Sequence, residues 1–424
     1  LNINYCGLCK SKKLIDIMSL GDTPLANEFL EEQNLNQELF PLNLKQCYNC
    51  KNVQLDYAVD PNRLYKNYVY VSGTSYINVQ HFKDYADNVL QKFFQKTPKE
   101  NSYDNLLIDI GSNDGTFLKH FGNKIRTIGV DPATNIAKSA INSGIKTVNH
   151  FFNAIVARNE ILELLKTTQT APYKAKVITA NHVFAHTQDL HTIIDGVKLL
   201  LSEDGTFIFE NSYLLDMVNK GIFDVIYHEH FYHHHLTPLV KLFKEFNMRI
   251  YDVERLPNQH GGSFRAYVCH DNEITNNSVE FKEKEIVQNL LDEEKIMNTH
   301  LADKFKEKTI NLVNKLWNEI PNSPKVTVGI YGYPAKATSL VRFCKLIKSG
   351  RFDSRIKFIV DDAILKQGKY IPGGEFKVES PNVIKDYQPD YMIILAWNFA
   401  ESIIKNHPEF KGKWIIPLPE LKVI

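Results

Sequence analysis

Two CxxC turns near the start constrain this chain most: Cys6-Gly-Leu-Cys9 and Cys47-Tyr-Asn-Cys50, with 37 residues between them. Two thiolates three positions apart can grip one metal ion, and a second such turn completes a tetrahedron. Redox CxxC motifs do not ordinarily come in pairs, and disulfides are rare in a reducing compartment. The spacing therefore predicts a structural zinc site formed by Cys6, Cys9, Cys47 and Cys50. With all four positions filled by protein, the metal staples a small fold instead of activating water. Cys269 and Cys344 stand alone in apolar stretches and read as core residues.

At 424 residues the chain is long for one core. From residue 105 onward, short apolar runs at 106–110, 124–130, 176–180 and 206–210 alternate with helix-period segments at 133–142, 153–166 and 189–201. Such alternation predicts parallel strands joined by crossover helices. A charged amphipathic stretch, 278–320, runs without Pro or Gly and reads as a connecting helix. Apolar runs then resume at 326–331, 356–360 and 391–396, which predicts a second α/β domain. The expected class is α/β: a zinc-binding module over 1–56, a Rossmann-like sheet over 57–277, and a connecting helix with a C-terminal Rossmann-like domain over 278–424.

Fifty basic residues against 49 acidic leave no surplus charge to draw the chain onto nucleic acid or an anionic membrane. No apolar run approaches the ~18 residues of a spanning helix. Leu1-Asn2-Ile3-Asn4-Tyr5 lacks a basic-then-apolar leader pattern, so a cytoplasmic, monomeric protein is expected.

Asp109-Ile110-Gly111-Ser112-Asn113-Asp114-Gly115 follows the first strand of the alternating region. Glycine at 111 lets the backbone turn and come close to a bound group. Asp131, about twenty residues on, stands where an acid holds ribose hydroxyls. The loop lacks the GxGxxG seat for a pyrophosphate, and Asp109 can reach a cofactor ammonium; both favour S-adenosylmethionine over NAD. Asn181-His182-Val183-Phe184-Ala185-His186 ends another strand on the same ligand-binding edge.

Tyr227-His228-Glu229-His230 runs directly into Phe231-Tyr232-His233-His234-His235, so this window holds five of the chain's 15 histidines. Histidine exchanges protons near neutral pH. Such density reads as a reaction centre, with a solvated cluster or a metal site as the plainer alternatives.

With the paired CxxC turns, DIGSNDG, NHVFAHTQDLH and YHEHFYHH in this order, the chain resembles the deoxysugar C-methyltransferases. His260-Gly261-Gly262-Ser263-Phe264-Arg265, Val360-Asp361-Asp362 and Leu395-Ala396-Trp397-Asn398-Phe399 extend the resemblance over the whole length. It implies a zinc-binding domain, a methyltransferase domain binding S-adenosylmethionine, and a C-terminal domain helping to hold a nucleotide-linked 4-keto-6-deoxysugar, dTDP-linked in preference to GDP-linked. It also implies His230 as base, with Tyr70, His186, Tyr227 and Glu229 around the sugar. Asp109, Gly111, Asn113, Gly115, Asp131 and Asn181 are then cofactor contacts, and Tyr76, His228, His260, Arg265, Lys336 and Asn398 substrate contacts. Tyr76 is also the rival to Tyr70. The segment Gly332-Tyr333-Pro334-Ala335-Lys336-Ala337 departs from the family pattern, because Tyr333 adds bulk and Ala337 stands where glycine is common.

Forming a C–C bond from a sulfonium methyl needs a carbon nucleophile, which a ring carbon beside a ketone becomes by losing its proton. A base at that carbon and hydrogen-bond donors at the developing oxyanion are required. C3 is expected over C5 as the methylated carbon. The competing readings are an NAD-dependent nucleotide-sugar dehydrogenase or epimerase, and a non-catalytic zinc-stapled binding protein.

Overall fold

The computed structural model describes residues 1–65, 71–74, 76–94, 105–167, 174–259, 261–347 and 354–424. Alternating burial along the first strands explains the N-terminal sheet: in β2 (Phe40–Cys47), Phe40, Leu42 and Leu44 face inward while Pro41, Asn43 and Lys45 are half-exposed. β1 (Leu14–Thr23) and β3 (Val53–Leu55) flank β2 in antiparallel pairing, and the two CxxC turns lie just before β1 and between β2 and β3.

Continuous apolar runs, by contrast, give strands buried on both faces. β4 (Leu106–Ile110), β5 (Arg126–Val130), β6 (Thr147–Val148), β7 (Ala175–Asn181) and β8 (Leu201–Ser212) are parallel neighbours. The two-residue β9 (Tyr232–His233) leaves this sheet and pairs with β3. An antiparallel hairpin, β10 (Met248–Leu256) and β11 (Ser263–His270), closes the far edge, giving the order β10-β11-β8-β7-β4-β5-β6. The chain reverses direction across the sheet between β4 and β7, where ligands bind in open α/β folds.

β12 (Val328–Tyr331), β13 (Ile356–Val360), β14 (Val378–Glu379), β15 (Tyr391–Ile394), β16 (Lys413–Ile416) and β17 (Lys422–Val423) form the third sheet, ordered β14-β13-β12-β15-β16-β17. It has its own switch point, between β12 and β15.

The connecting helix runs Glu285–Asn318, seven residues shorter at its start than expected. Asn272 and Ser278 each cap a short turn, Glu273–Asn276 and Val279–Phe281, so the chain restarts twice before the long helix begins. Its buried stripe, Val287, Leu290, Met297, Leu301, Phe305, Val313 and Leu316, also contains a carboxylate, Glu294. Among the described residues, no helix is long and apolar enough to cross a membrane.

Candidate active site

The four CxxC sulfurs lie within 4.8 Å of one another, with Cys6–Cys50 and Cys9–Cys47 at 3.5 Å. A tetrahedron of ~2.3 Å zinc–sulfur bonds has edges of about 3.8 Å, so the cluster fits one ion. Each turn is closed alike: Lys10 N donates to Cys6 O at 2.9 Å and Lys51 N to Cys47 O at 3.0 Å, with both lysines at positive φ.

On the central sheet, Gly111 has φ +70°, and a Cβ there would lie 2.2 Å from a Val183 methyl. Asp131 bridges the loop, accepting Asn113 N at 2.8 Å and Ala133 N at 2.9 Å. Burial pushes the Asp109 carboxyl up to about 7, against the Thr179 hydroxyl it accepts at 2.7 Å. Asn181 Oδ1 and Ser112 Oγ are buried without a hydrogen-bond partner beside this loop. Orphaned acceptors and a desolvated carboxyl suit a ligand bringing an ammonium and ribose hydroxyls, as S-adenosylmethionine does. Ser72 N donates to Asn113 Oδ1 at 2.9 Å, laying the segment after residue 70 across the loop.

The histidine window meets the loop after β7, where Tyr232 N donates to Ala185 O at 3.1 Å. His230 Nδ1 lies 2.8 Å from Val225 O and Nε2 lies 2.9 Å from the Tyr227 hydroxyl. The His186 ring is 5.0 Å from the His230 ring, and the Tyr65 ring lies tilted against it at 5.5 Å. Desolvation holds His230 at about 4 and His186 well below its ordinary value, so both imidazoles are neutral at pH 7. His182, beside them, adopts φ +54° and lies 3.5 Å from Glu210.

Several expected contacts are placed otherwise. His228 is buried, its Nε2 held by Pro41 O at 3.1 Å, so its ring is committed to the N-terminal sheet. Arg265 is 2% exposed; it gives two donors to Glu210 and one to Glu254, and its guanidinium lies 3.6 Å above the Tyr85 ring. Those commitments leave a fixed internal ion pair, not a substrate clamp. The Glu229 carboxylate accepts from Asn27 at 2.6 Å, while the imidazole of His230 is oriented by the Val225 carbonyl. Tyr70, His260 and the Tyr76 side chain lie outside the described residues.

The third sheet contributes Lys336, which meets Asn398 Oδ1 and lies 3.5 Å over the Trp397 ring. Trp397 Nε1 donates to Asp224 at 2.7 Å, tying this edge to the residue just before Val225. Burial lowers the Lys336 ammonium to about 8, with Asp224 opposing the shift. The β12 loop repeats the geometry of the β4 loop: Asp361 accepts Tyr333 N at 2.7 Å and Ala363 N at 2.8 Å. Here, however, Lys366 also takes the carboxylate at 3.0 Å, and Tyr333 is buried in the loop.

Asn27, Tyr65, Asp224 and Val225 escaped the sequence reading. Each acts on a partner more than a hundred residues away or through its backbone, and only the Leu25-Ala26-Asn27 end of the β1–β2 link gave a local signal, an apolar pair closing on a polar residue.

Three family models cover nearly the whole chain: a zinc binding domain over residues 6–65, a methyltransferase domain over 80–253, and a C-methyltransferase C-terminal domain over 258–419. The chain is 32% identical over 437 residues to the C-methyltransferase NovU of Streptomyces niveus, spanning 100% of this chain and 97% of that protein. Among solved structures, magnesium protoporphyrin IX methyltransferase of Synechocystis PCC 6803 with bound SAM matches 46% of this chain and 81% of its own, at 12% identity and TM-score 0.32. PH0226 of Pyrococcus horikoshii matches 49% and 97%, at 13% identity and TM-score 0.36. With all three modules matched in order and a relative aligned end to end, the chain belongs to the zinc-containing, S-adenosylmethionine-dependent C-methyltransferases.

Proposed function

We propose that this protein methylates C3 of a nucleotide-linked 4-keto-6-deoxysugar, dTDP-linked in preference to GDP-linked, in the making of a branched deoxysugar. The observation that carries the reading is the state of His230: neutral, with Nδ1 engaged by a backbone carbonyl and its remaining lone pair directed at a tyrosine hydroxyl. That is a base beside an oxyanion donor, the pair a carbon acid next to a ketone needs. NovU, a C-methyltransferase, aligns over this segment as over the rest.

S-adenosylmethionine, when bound on the β4 loop, supplies an electrophilic methyl on a sulfonium. His230 Nε2 takes the C3 proton, and the electron pair left on carbon delocalises onto the ketone oxygen. The Tyr227 hydroxyl turns from Nε2 to that oxygen, which frees the lone pair as charge appears. Negative charge beside His230 offsets the desolvation that holds its free-enzyme basicity low, so the imidazole strengthens as a base along the reaction. C3 would then take the methyl group as its bond to sulfur breaks, that electron pair staying on sulfur, and the imidazolium proton leaves to solvent. His186, neutral and 5.0 Å from His230, adds a second donor. Lys336 and Asn398 face the sugar nucleotide from the third sheet.

The dehydrogenase reading loses support because Asp361, the acid that would hold a dinucleotide ribose, is already paired with Lys366. The test is incubation with dTDP- and GDP-linked 4-keto-6-deoxyhexoses and a 13C-methyl donor, followed by NMR of the product. Label on a ring carbon, C3 first, is expected. Label on oxygen or nitrogen, or reduction of the sugar by a nicotinamide cofactor, overturns the reading.

A further inference from the structure

Residues 228–233 are gripped from one side by the N-terminal sheet. His228 meets Pro41 O, Leu55 N donates to Phe231 O at 2.9 Å, and Tyr232 and His233 pair with Gln54 and Val53. Within this run Glu229 is 3% exposed, and its carboxylate accepts a 2.6 Å hydrogen bond from Asn27 Nδ2. Its carbonyl accepts the Tyr65 hydroxyl at 3.0 Å. A buried carboxylate is costly unless hydrogen-bonded, so the Asn27 amide holds this side chain in place.

The residues around Asn27 are held in turn by the C-terminal domain. Thr338 Oγ1 donates to Ala26 O at 3.5 Å, the Phe29 ring meets Tyr333 edge-on at 6.2 Å, and Leu30 bridges to Tyr370. The link between β1 and β2 is thus wedged between the peptide that carries His230 and the β12 loop with the helix that follows it, Ala335–Ile347, which carries Lys336.

We propose that Asn27 is a positioning residue of the active site: by fixing the Glu229 carboxylate it sets the peptide bearing His230, and the zinc-binding domain thereby helps build the methyl-transfer site. The inference rests on His230 acting as the base. A base must be held within about 0.5 Å of its productive position, and a 1 Å misplacement costs on the order of 100-fold. His230 has its ring fixed by Val225 O and its backbone N–H by Tyr227 O at 2.8 Å, and Glu229 lies inside that turn, so where its side chain is held bears on how the turn sits.

Asn27→Ala, Asn27→Asp and the double variant Asn27→Asp/Glu229→Gln provide the test. Asn27→Asp sets two carboxylates together, which must then share a proton; the double variant restores the hydrogen bond with donor and acceptor exchanged. For Asn27→Ala, kcat falls about 10- to 100-fold, while KM for the methyl donor, the dissociation constant of S-adenosylhomocysteine and zinc content stay at wild-type values. Hydrogen exchange quickens over 226–235 and not over 40–50. The double variant regains the kcat of Glu229→Gln alone. Wild-type kcat and exchange in Asn27→Ala overturn the proposal, as does loss of zinc and of S-adenosylhomocysteine binding in Asn27→Ala and in the double variant, which makes Asn27 a folding residue only. Should the wild-type protein methylate no sugar, the functional reading fails, and hydrogen exchange still decides whether Asn27 holds the segment.

Discussion

The Tyr227 hydroxyl lies 2.9 Å from His230 Nε2, while the other ring nitrogen lies 2.8 Å from Val225 O. A carbonyl only accepts, so Nδ1 carries the proton and Nε2 the lone pair. His230→Asn can still satisfy Val225 O but cannot take a proton. It is expected to lower kcat by roughly 100- to 10,000-fold and to stop deuterium exchange at the carbon beside the ketone. Tyr227→Phe keeps the ring packing and leaves Nε2 free but removes a donor to the enolate oxygen, so exchange and methyl transfer both slow about 100-fold without being abolished. Exchange surviving in His230→Asn takes that residue out of the base role.

The paired CxxC turns, the β4 loop and both alternating regions could be read from sequence because each depends on local spacing: 3 for the thiolates, short apolar runs for the strands. β9 could not, since two residues carry no periodicity, and what makes them a strand is the free edge of β3 in another domain. The same holds for Arg265, whose two carboxylate partners come from β8 and β10. The resemblance placed it among the substrate contacts; the fold makes it the counter-charge of a buried glutamate. His228, two residues before His230, is turned to the N-terminal sheet, where its Nε2 meets Pro41 O at 3.1 Å.

Burial lowers the imidazoles of His186, His228, His230, His233, His234 and His235 below the ordinary histidine value, to about 4 at His228, His230 and His234. In the unfolded chain these groups protonate near 6.5. Below that pH the unfolded state binds more protons, so their stability contribution is complete above about 6.5 and is lost as pH falls toward 4. Asp109, raised to about 7, works the other way, as do Asp131 and Asp224, also raised by burial. Six histidines outweigh three carboxyls, and each net proton taken up contributes about 1.4 kcal/mol per pH unit. Urea midpoints should therefore fall steeply from pH 7 to pH 5. A flat profile over that range contradicts the neutral, desolvated state of the cluster.

One zinc per chain is expected, lost in Cys9→Ser. Removing the ion takes away the bonds that tie the clustered sulfurs of the two CxxC turns together, which loosens β1–β3. Because β9 is paired to β3, the disturbance reaches His233 and the segment before it. Methyl transfer should fall with zinc content while calorimetric binding of S-adenosylhomocysteine, seated on the β4 loop, is retained. Loss of both in step would show that the two sheets unfold together.

Glu294 is the one carboxylate on the inward stripe of the long helix, fully buried. It accepts from Leu236 N and Thr237 N at 2.7 Å, the Thr237 hydroxyl at 2.6 Å and the Tyr213 hydroxyl at 2.8 Å. Two of these donors are orphan amides at the start of helix Leu236–Glu245, where negative charge is also favoured. The contact anchors the peptide directly after His235, so the connecting helix fixes the far end of the histidine window. Glu294→Ala strands four donors, each worth about 1–3 kcal/mol when left unmet, and should destabilise the fold by at least about 3 kcal/mol. Glu294→Gln keeps one acceptor but turns an amide N–H toward donors, for a smaller loss of about 1–2 kcal/mol. Denaturant midpoints at constant m value check both; an Ala variant as stable as wild type means water or a neighbour replaces the carboxylate, and the anchor is not needed.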